Sequence, residues 1–468
     1  MLCLASVPSI AQERDEAINV AKRAVQFLTE EVSTRGGYVW RYSSDLTLRE
    51  GEGKITTETV WVQPPGTPAV GEAFLELHLA TGDGQFLEAA RKAGEILLKG
   101  QMRSGGWQAM IELEPTRRRR WAYRVDRLTS GAKDQSSLDD NKTQSALHFL
   151  IRLDQALQMR DPKIHEAVQY GLNALLHRAQ LPGGGFPQVW MEQPVIRDRM
   201  ILQKASFPTA WARLYPGHQK YWHRVTLNDN LAGDTSAVLF LAYAVYKDGR
   251  YFESALRLAD SLVRLQMPQP QPAWAQQYDD QVQPTWARKF EPPAIATSES
   301  FDVIETLMTT YAHTGDPKYL DPVRDALTYL ESCRLGDGRL ARFYELETNR
   351  PLYMDRQYQL TFDDVDVPSH YAFKIKDRTE SLRSQVDRIS KMSREQLDRW
   401  LRRKRSVDDK LVDHIIGSID ARGAWVMPGE LRYHSRNYSK QPSDIISMQV
   451  AVNNLKELAR FIAATQTR

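Results

Sequence analysis

The stretch TSAVLFLAYAVYKDGRYFESALRLADSLVRLQ, residues 235–266, decides how the chain is read. Its first half is apolar almost throughout. Its second half repeats apolar residues at steps of three and four, which marks a helix with one buried face. Lys-Asp-Gly between them leaves room only for a tight turn, so the pair reads as a helical hairpin. The same figure recurs around TGDGQF at Thr81, TGDPKY at Thr314 and, more weakly, MRDPKI at Met159. The second helix of each pair also ends alike. Gln101 leads into GGW, Gln180 into GGGFPQ, Gln266 into PAWAQQY and Cys333 into DGRLARFY. GGYVW near Gly36 and RGAWV near Gly423 are further copies. Glycine after a helix is a stop signal.

The unit is thus a hairpin of roughly 65 to 90 residues, repeated about five or six times. The first helix of each pair is the more apolar, which predicts an inner ring of buried helices and an outer amphipathic ring. The fold expected is all-α, an irregular α/α toroid, with an open solenoid as the other arrangement of the same hairpins. In either one, the TGD turns lie on one rim and the long connecting loops on the other. A site belongs on the long-loop rim.

The 468 residues carry 42% hydrophobic and 26% charged side chains and a net charge of +3. No apolar run reaches the eighteen or so residues that cross a bilayer, so no membrane partner is expected. Two cysteines, Cys3 and Cys333, exclude a disulfide framework and a cysteine-rich metal site. The opening MLCLASVPSIAQ reads either as the remnant of a secretory leader, over residues 1–11, or as a frayed terminus. The leader reading gives a secreted or periplasmic protein. Residues 12–375 then form the toroid, and 376–468 a charged helical segment packing back on it. The arginine run PTRRRRWAYRVDR reads as a solvated charge run, so nucleic acid is not an expected partner.

Three long loops hold the chemistry. SSLDDNKTQ, HRVTLNDNLAGDTS and AWAQQYDDQVQPTWARKFEPPAIATSES each run into a helix. Asp139, Asp229 and Arg288 occupy comparable places in them. Asp140, Asn141 and Asp234 are candidates for helix capping. Asn228, Asp229 and Asn230 offer a dense set of oxygen donors suited to a hard cation such as calcium, with water or substrate completing the shell. No H-E-x-x-H, phosphate loop or G-x-S-x-G elbow is present.

These loops resemble a known family. LDDNKTQSALHFL, GGGFPQ, HRVTLNDN, WAQQYDDQVQPTWARKFEPPAIATSES and LARFYELETNRPLYMDR are similar, in order, to motifs of the family-10 pectate lyases. The resemblance spans roughly residues 94–373. It implies an α/α toroid that cleaves polygalacturonate by calcium-assisted β-elimination. Carried over residue by residue, it implies Arg288 as the base and Asp229 as a calcium ligand. Asp139 would serve near both calcium and substrate, and Arg342 and Arg356 would hold substrate carboxylates. Asn228 and Trp274 are added as substrate-binding candidates. Three positions depart from the pattern: Asp140 stands for Asn, Phe186 for Trp and Tyr278 for His.

The chemistry fits these groups. The C5 proton of a uronate is barely acidic, and cations near the adjacent carboxylate stabilise the charge its removal creates. An arginine base is costly, since neutral arginine at pH 7 costs roughly 7 kcal/mol, which nearby cations and alkaline pH reduce. Activity is therefore expected to rise toward about pH 9–10. The arginine fork suits the clamp positions, with surface salt bridges as the other reading of Arg342 and Arg356. Trp274 and Trp286 either stack on sugars or pack in the core. A monomeric enzyme on an acidic polysaccharide is the expectation. A toroid hydrolase of acidic oligosaccharides and a non-catalytic polyuronate-binding protein are the alternatives.

Overall fold

The computed structural model describes residues 10–53, 55–193, 203–403, 405–434 and 443–466. Residues 1–9, where most of the leader expectation falls, lie outside the described residues. The chain is all-α in class, with helical hairpins of the α/α-toroid type, long loops and short strands. The helices are α1 Ile10–Phe27, α2 Thr67–Thr81, α3 Gly84–Gly100, α4 Pro115–Arg118, α5 Lys142–Ala156, α6 Pro162–Ala174 and α7 Leu231–Tyr246. They continue as α8 Gly249–Leu265, α9 Thr297–Thr314, α10 Asp321–Ser332, α11 Thr379–Ile389, α12 Arg394–Leu401, α13 Asp409–Ser418 and α14 Met448–Thr465. No described helix is long and apolar enough to cross a membrane.

Two compact units divide the chain. One comprises Met1–Ser136, Ser145–Leu172 and Arg405–Arg468, the other Ser137–Gln144 and Asn173–Lys404. The 375/376 boundary expected from the sequence falls inside the second unit. In the first unit α2 packs on α3 and α14, and α14 on α1. In the second α7 packs on α8 and α9, and α9 on α10.

The turns read from the sequence have a physical cause. Asp83 accepts from Gln85 N at 2.9 Å and Asp248 from Arg250 N at 3.0 Å, capping α3 and α8. Asp316 accepts from Lys318 N at 3.0 Å and starts the next helix likewise. The matching helix ends are equally explained. Gln101 Nε2 donates to Gly105 O and Ala167 O, at 3.0 and 2.9 Å. Gln180 Nε2 donates to Gly184 O and Ser254 O, at 2.9 and 3.0 Å. Gln266 Nε2 donates to Pro272 O and Pro322 O, at 2.8 and 2.7 Å. Each amide thus ties its own loop to a residue of a later hairpin. Gly184 follows at φ 92°, and a Cβ there would sit 2.2 Å from Arg257 O, so only glycine fits.

Candidate active site

Two loops of the second unit share one backbone figure. Residues 138–142 read Leu-Asp-Asp-Asn-Lys and 227–231 read Leu-Asn-Asp-Asn-Leu. Each makes one 3₁₀ turn, Asp139–Asn141 or Asn228–Asn230, before a helix. In each, the third and fourth positions take positive φ: 48° and 59° at Asp140 and Asn141, 49° and 55° at Asp229 and Asn230. Asp and Asn tolerate that conformation better than other residues with a Cβ. The leading amide donates to a glutamine carbonyl: Leu138 N to Gln188 O, 2.8 Å, and Leu227 N to Gln276 O, 2.9 Å.

This register corrects the equivalence expected from the sequence. Asp140 matches Asp229, and Asp139 matches Asn228. A third loop–helix junction shares only the leading bond: Thr297 N donates to Arg342 O at 2.9 Å, and Glu299 lies two residues on, inside α9. Arg288 stands outside the repeat.

The two loops bring the carboxylates of Asp139, Asp140 and Asp229 together, with one oxygen of each within 4.8 Å of the others. Burial, then the charges of Asp140 and Asp139, pushes Asp229 up to about 7, with Arg288 opposing. Burial and Asp139 also push Asp140 up. Lys142 Nζ lies 2.8 Å from Asp139 and 3.4 Å from Asp140. Gln188 donates to Asp139, and Asn228 to Asp229. That leaves the buried Asn228 Oδ1 with no hydrogen-bond partner. A donor set of oxygens alone, three of them charged, with a buried oxygen unused, fits a hard divalent cation such as Ca²⁺. In the sequence alone Asp140 reads only as a cap or a departure, and nothing marks Lys142. The repeated Leu-x-Asp-Asn frame is the signal that identifies Asp140.

Arginines face this cluster. Arg288 N and Nε both donate to Glu291 Oε2, at 3.0 and 2.9 Å, and Nη2 donates to Oε1 at 2.6 Å. Burial pulls Arg288 down, but the Glu291 pair, with Tyr371 and Asp229 behind it, outweighs burial and holds it above the usual arginine value. Cationic surroundings would ease deprotonation. The structure has the opposite balance, because a glutamate three residues on wraps back to the guanidinium.

Arg342 is placed by the pairing of Ile295–Ala296 with Phe343–Tyr344, which sets it beside α9. It donates to Glu299 at 2.9 Å and lies over Tyr371, 4.5 Å from the ring centre. Arg356 sits in the turn between the strands Pro351–Met354 and Leu360–Thr361, pairs with Asp366 at 3.2 Å and is 69% exposed. No ion pair among the described residues links it to the aspartates. Lys289 Nζ points to the Tyr358 ring, 4.3 Å from its centre, and not to the carboxylates.

Trp274 requires correction. It is fully buried, and its indole N–H donates to Leu262 O at 2.7 Å, so it offers no face to a sugar. Trp107 and Trp425 make the same bond to Leu97 O and Ile415 O, at 2.8 and 3.0 Å, in the first unit. Recurrence at this loop position marks a core role. Trp286 is buried too, its N–H on Ala212 O at 2.7 Å. The departures Phe186 and Tyr278 are both buried, and the Tyr278 hydroxyl donates to Leu265 O at 2.7 Å.

Residues 198–340 match the family model described as pectic acid lyase. That stretch contains Asn228, Asp229, Arg288, Glu291 and Glu299. Over this stretch, less than half of its length, the chain is similar to the pectic acid lyases. Among solved structures it is similar to a family 10 polysaccharide lyase from Cellvibrio cellulosa, at 19% identity and a TM-score of 0.48, covering 69% of this chain and 98% of that one. It is also similar to a mutant of that lyase in complex with trigalacturonic acid, at 18% identity and a TM-score of 0.47, with the same coverage. A D-mannose isomerase is 12% identical with a TM-score of 0.47, covering 98% of this chain and 100% of that one. No curated protein sequence matches the chain.

Proposed function

We propose that the protein is a pectate lyase that cleaves polygalacturonate by β-elimination with Ca²⁺ held by Asp139, Asp140 and Asp229. One observation carries this reading: three carboxylates converge from two loops, and the charges of Arg288 and Arg342 act on Asp229 beside them. Such a site takes a cation and an anionic sugar together. The bound Ca²⁺ would supply Lewis acidity to the substrate carboxylate.

The residues of the chain do the rest. Arg342, fixed by Glu299, presents a guanidinium edge to a uronate carboxylate. Arg288 stands where the resemblance expects the base. As base it takes the C5 proton. The C–H pair then forms the C4=C5 double bond, the C4–O bond breaks, and the leaving oxygen takes up a proton. That role needs a neutral Arg288, and alkaline pH favours it. A second reading has its own support: the bidentate Glu291 contact favours Arg288 as a permanent cation that holds a carboxylate. A secreted or periplasmic, monomeric enzyme goes with this proposal, since a polymer substrate lies outside the cell.

The test is purified protein on polygalacturonate, with and without calcium, followed by ultraviolet absorbance of the 4,5-unsaturated product. Absorbance that grows with calcium and stops with a chelator is expected. Reducing ends without unsaturation would replace the lyase by a hydrolase.

A further inference from the structure

The Arg288 loop has a near copy of itself as neighbour. Residues 284–288 read Pro-Thr-Trp-Ala-Arg, and 208–213 read Pro-Thr-Ala-Trp-Ala-Arg. The copies are bonded at the alanines that precede each arginine. Trp286 Nε1 donates to Ala212 O at 2.7 Å, and the Tyr215 hydroxyl donates to Ala287 O at 3.3 Å. The rings of Trp211 and Trp286 meet edge to face with centres 6.3 Å apart. A side chain from each segment thus holds the residue just before the other's arginine.

Arg213 is also built like the other two arginines. Each guanidinium is held by one buried glutamate: Arg342 by Glu299, Arg288 by Glu291 and Arg213 by Glu345. The arginine side chains are 15%, 38% and 55% exposed, so Arg213 is the most accessible of the three. The Arg213 guanidinium also lies 4.4 Å from the centre of the Trp211 ring. A lone surface arginine would lose conformational freedom on binding. This one is already held by a ring and a carboxylate, and its fork keeps donors to spare.

We propose that Arg213 forms a further carboxylate-binding subsite for the polyuronate, outside Arg288 and Arg342 and reached only by longer oligomers. This rests on the lyase reading above. Arg213 takes a substrate carboxylate on the guanidinium edge that Glu345 leaves open. Trp211 keeps that edge oriented.

The experiment compares tri- and hexagalacturonate, by calorimetric binding and by product absorbance, for wild type, Arg213→Ala and Arg213→Lys. Arg213→Ala is expected to raise KM and Kd for the hexamer about tenfold, with kcat and both trimer values within about twofold. Arg213→Lys recovers part of the loss, because it keeps the charge without the fork. Equal losses at both lengths, or a lowered melting temperature that accounts for them, make Arg213 a loop-holding residue and overturn the subsite. No change at either length overturns it too, leaving a surface ion pair. A wild type that neither binds nor cleaves any galacturonate oligomer overturns the lyase reading and the subsite together.

Discussion

Residues 138–142 and 227–231 have the same backbone and different charge. Both copies carry a carboxylate at the positive-φ position, Asp140 or Asp229. The first adds Asp139 and the ammonium of Lys142. The second has the neutral Asn228 and Leu231 at those places. The junction at Thr297 is helical instead: it holds Glu299 against Arg342 and takes no part in the cation cluster. One backbone figure therefore presents an acid in both copies, and the residues on either side decide whether an ammonium joins it.

The sharpest way to break the comparison is to neutralise one copy at a time. Asp229→Asn should lower the rate at fixed calcium on the order of hundredfold or more, since its loop brings no other carboxylate to the cluster. Asp140→Asn, beside Lys142, should cost about tenfold. Initial rates and calcium titration measure both, and equal losses would make the loops equivalent. Next comes Glu291→Gln. Removing the carboxylate lowers the proton affinity of Arg288, so a base role predicts that the alkaline limb of the pH–rate profile moves down by about a unit or more. An unmoved limb with a raised KM would assign Arg288 to the clamp.

Lys142→Gln should lower the half-saturating calcium about tenfold at low salt and less at high salt, because a competing ammonium is removed. A weaker calcium response would show that Lys142 shapes the site instead. Asp302, one turn beyond Glu299, probes the helical junction. Burial, then Glu299 and Glu305, pushes it up to about 7. Its protonated form is favoured by folding, so its contribution is complete below the unfolded pKa of about 4 and is lost as pH rises through 7. Asp302→Asn should therefore melt above wild type at pH 8, by about 1–2 kcal/mol, and match it near pH 4. The smallest effects test the shared backbone. Asn141→Ala and Asn230→Ala should each cost about 1 kcal/mol in denaturant melts, and the glycine variants almost none.

Much of this was legible in the sequence because hairpins leave local marks. The TGD-type turns are helix caps, and Gln101, Gln180 and Gln266 are tie points, so short-range chemistry announces them. Asp139, Asp229, Arg288 and Arg342 could be singled out because they stand in recognisable loop motifs. Glu291, Lys142 and Arg213 were missed because an arginine's partner is fixed by how loops fold back, which spacing does not encode. Trp274 was misread for a related reason. A tryptophan in a polar loop looks available until the carbonyl of Leu262 is known to lie beneath it.

The glutamine ties have a further implication, for redesign. Gln101, Gln180 and Gln266 each spend both amide protons at the root of a loop, one on the loop itself and one on the scaffold beyond. Past that root, two of the loops return to the preceding helix through an indole, Trp107 on Leu97 O and Trp274 on Leu262 O. Grafts at these three glutamines should therefore keep those indoles and exchange only the exposed residues, giving new specificities on an unaltered frame.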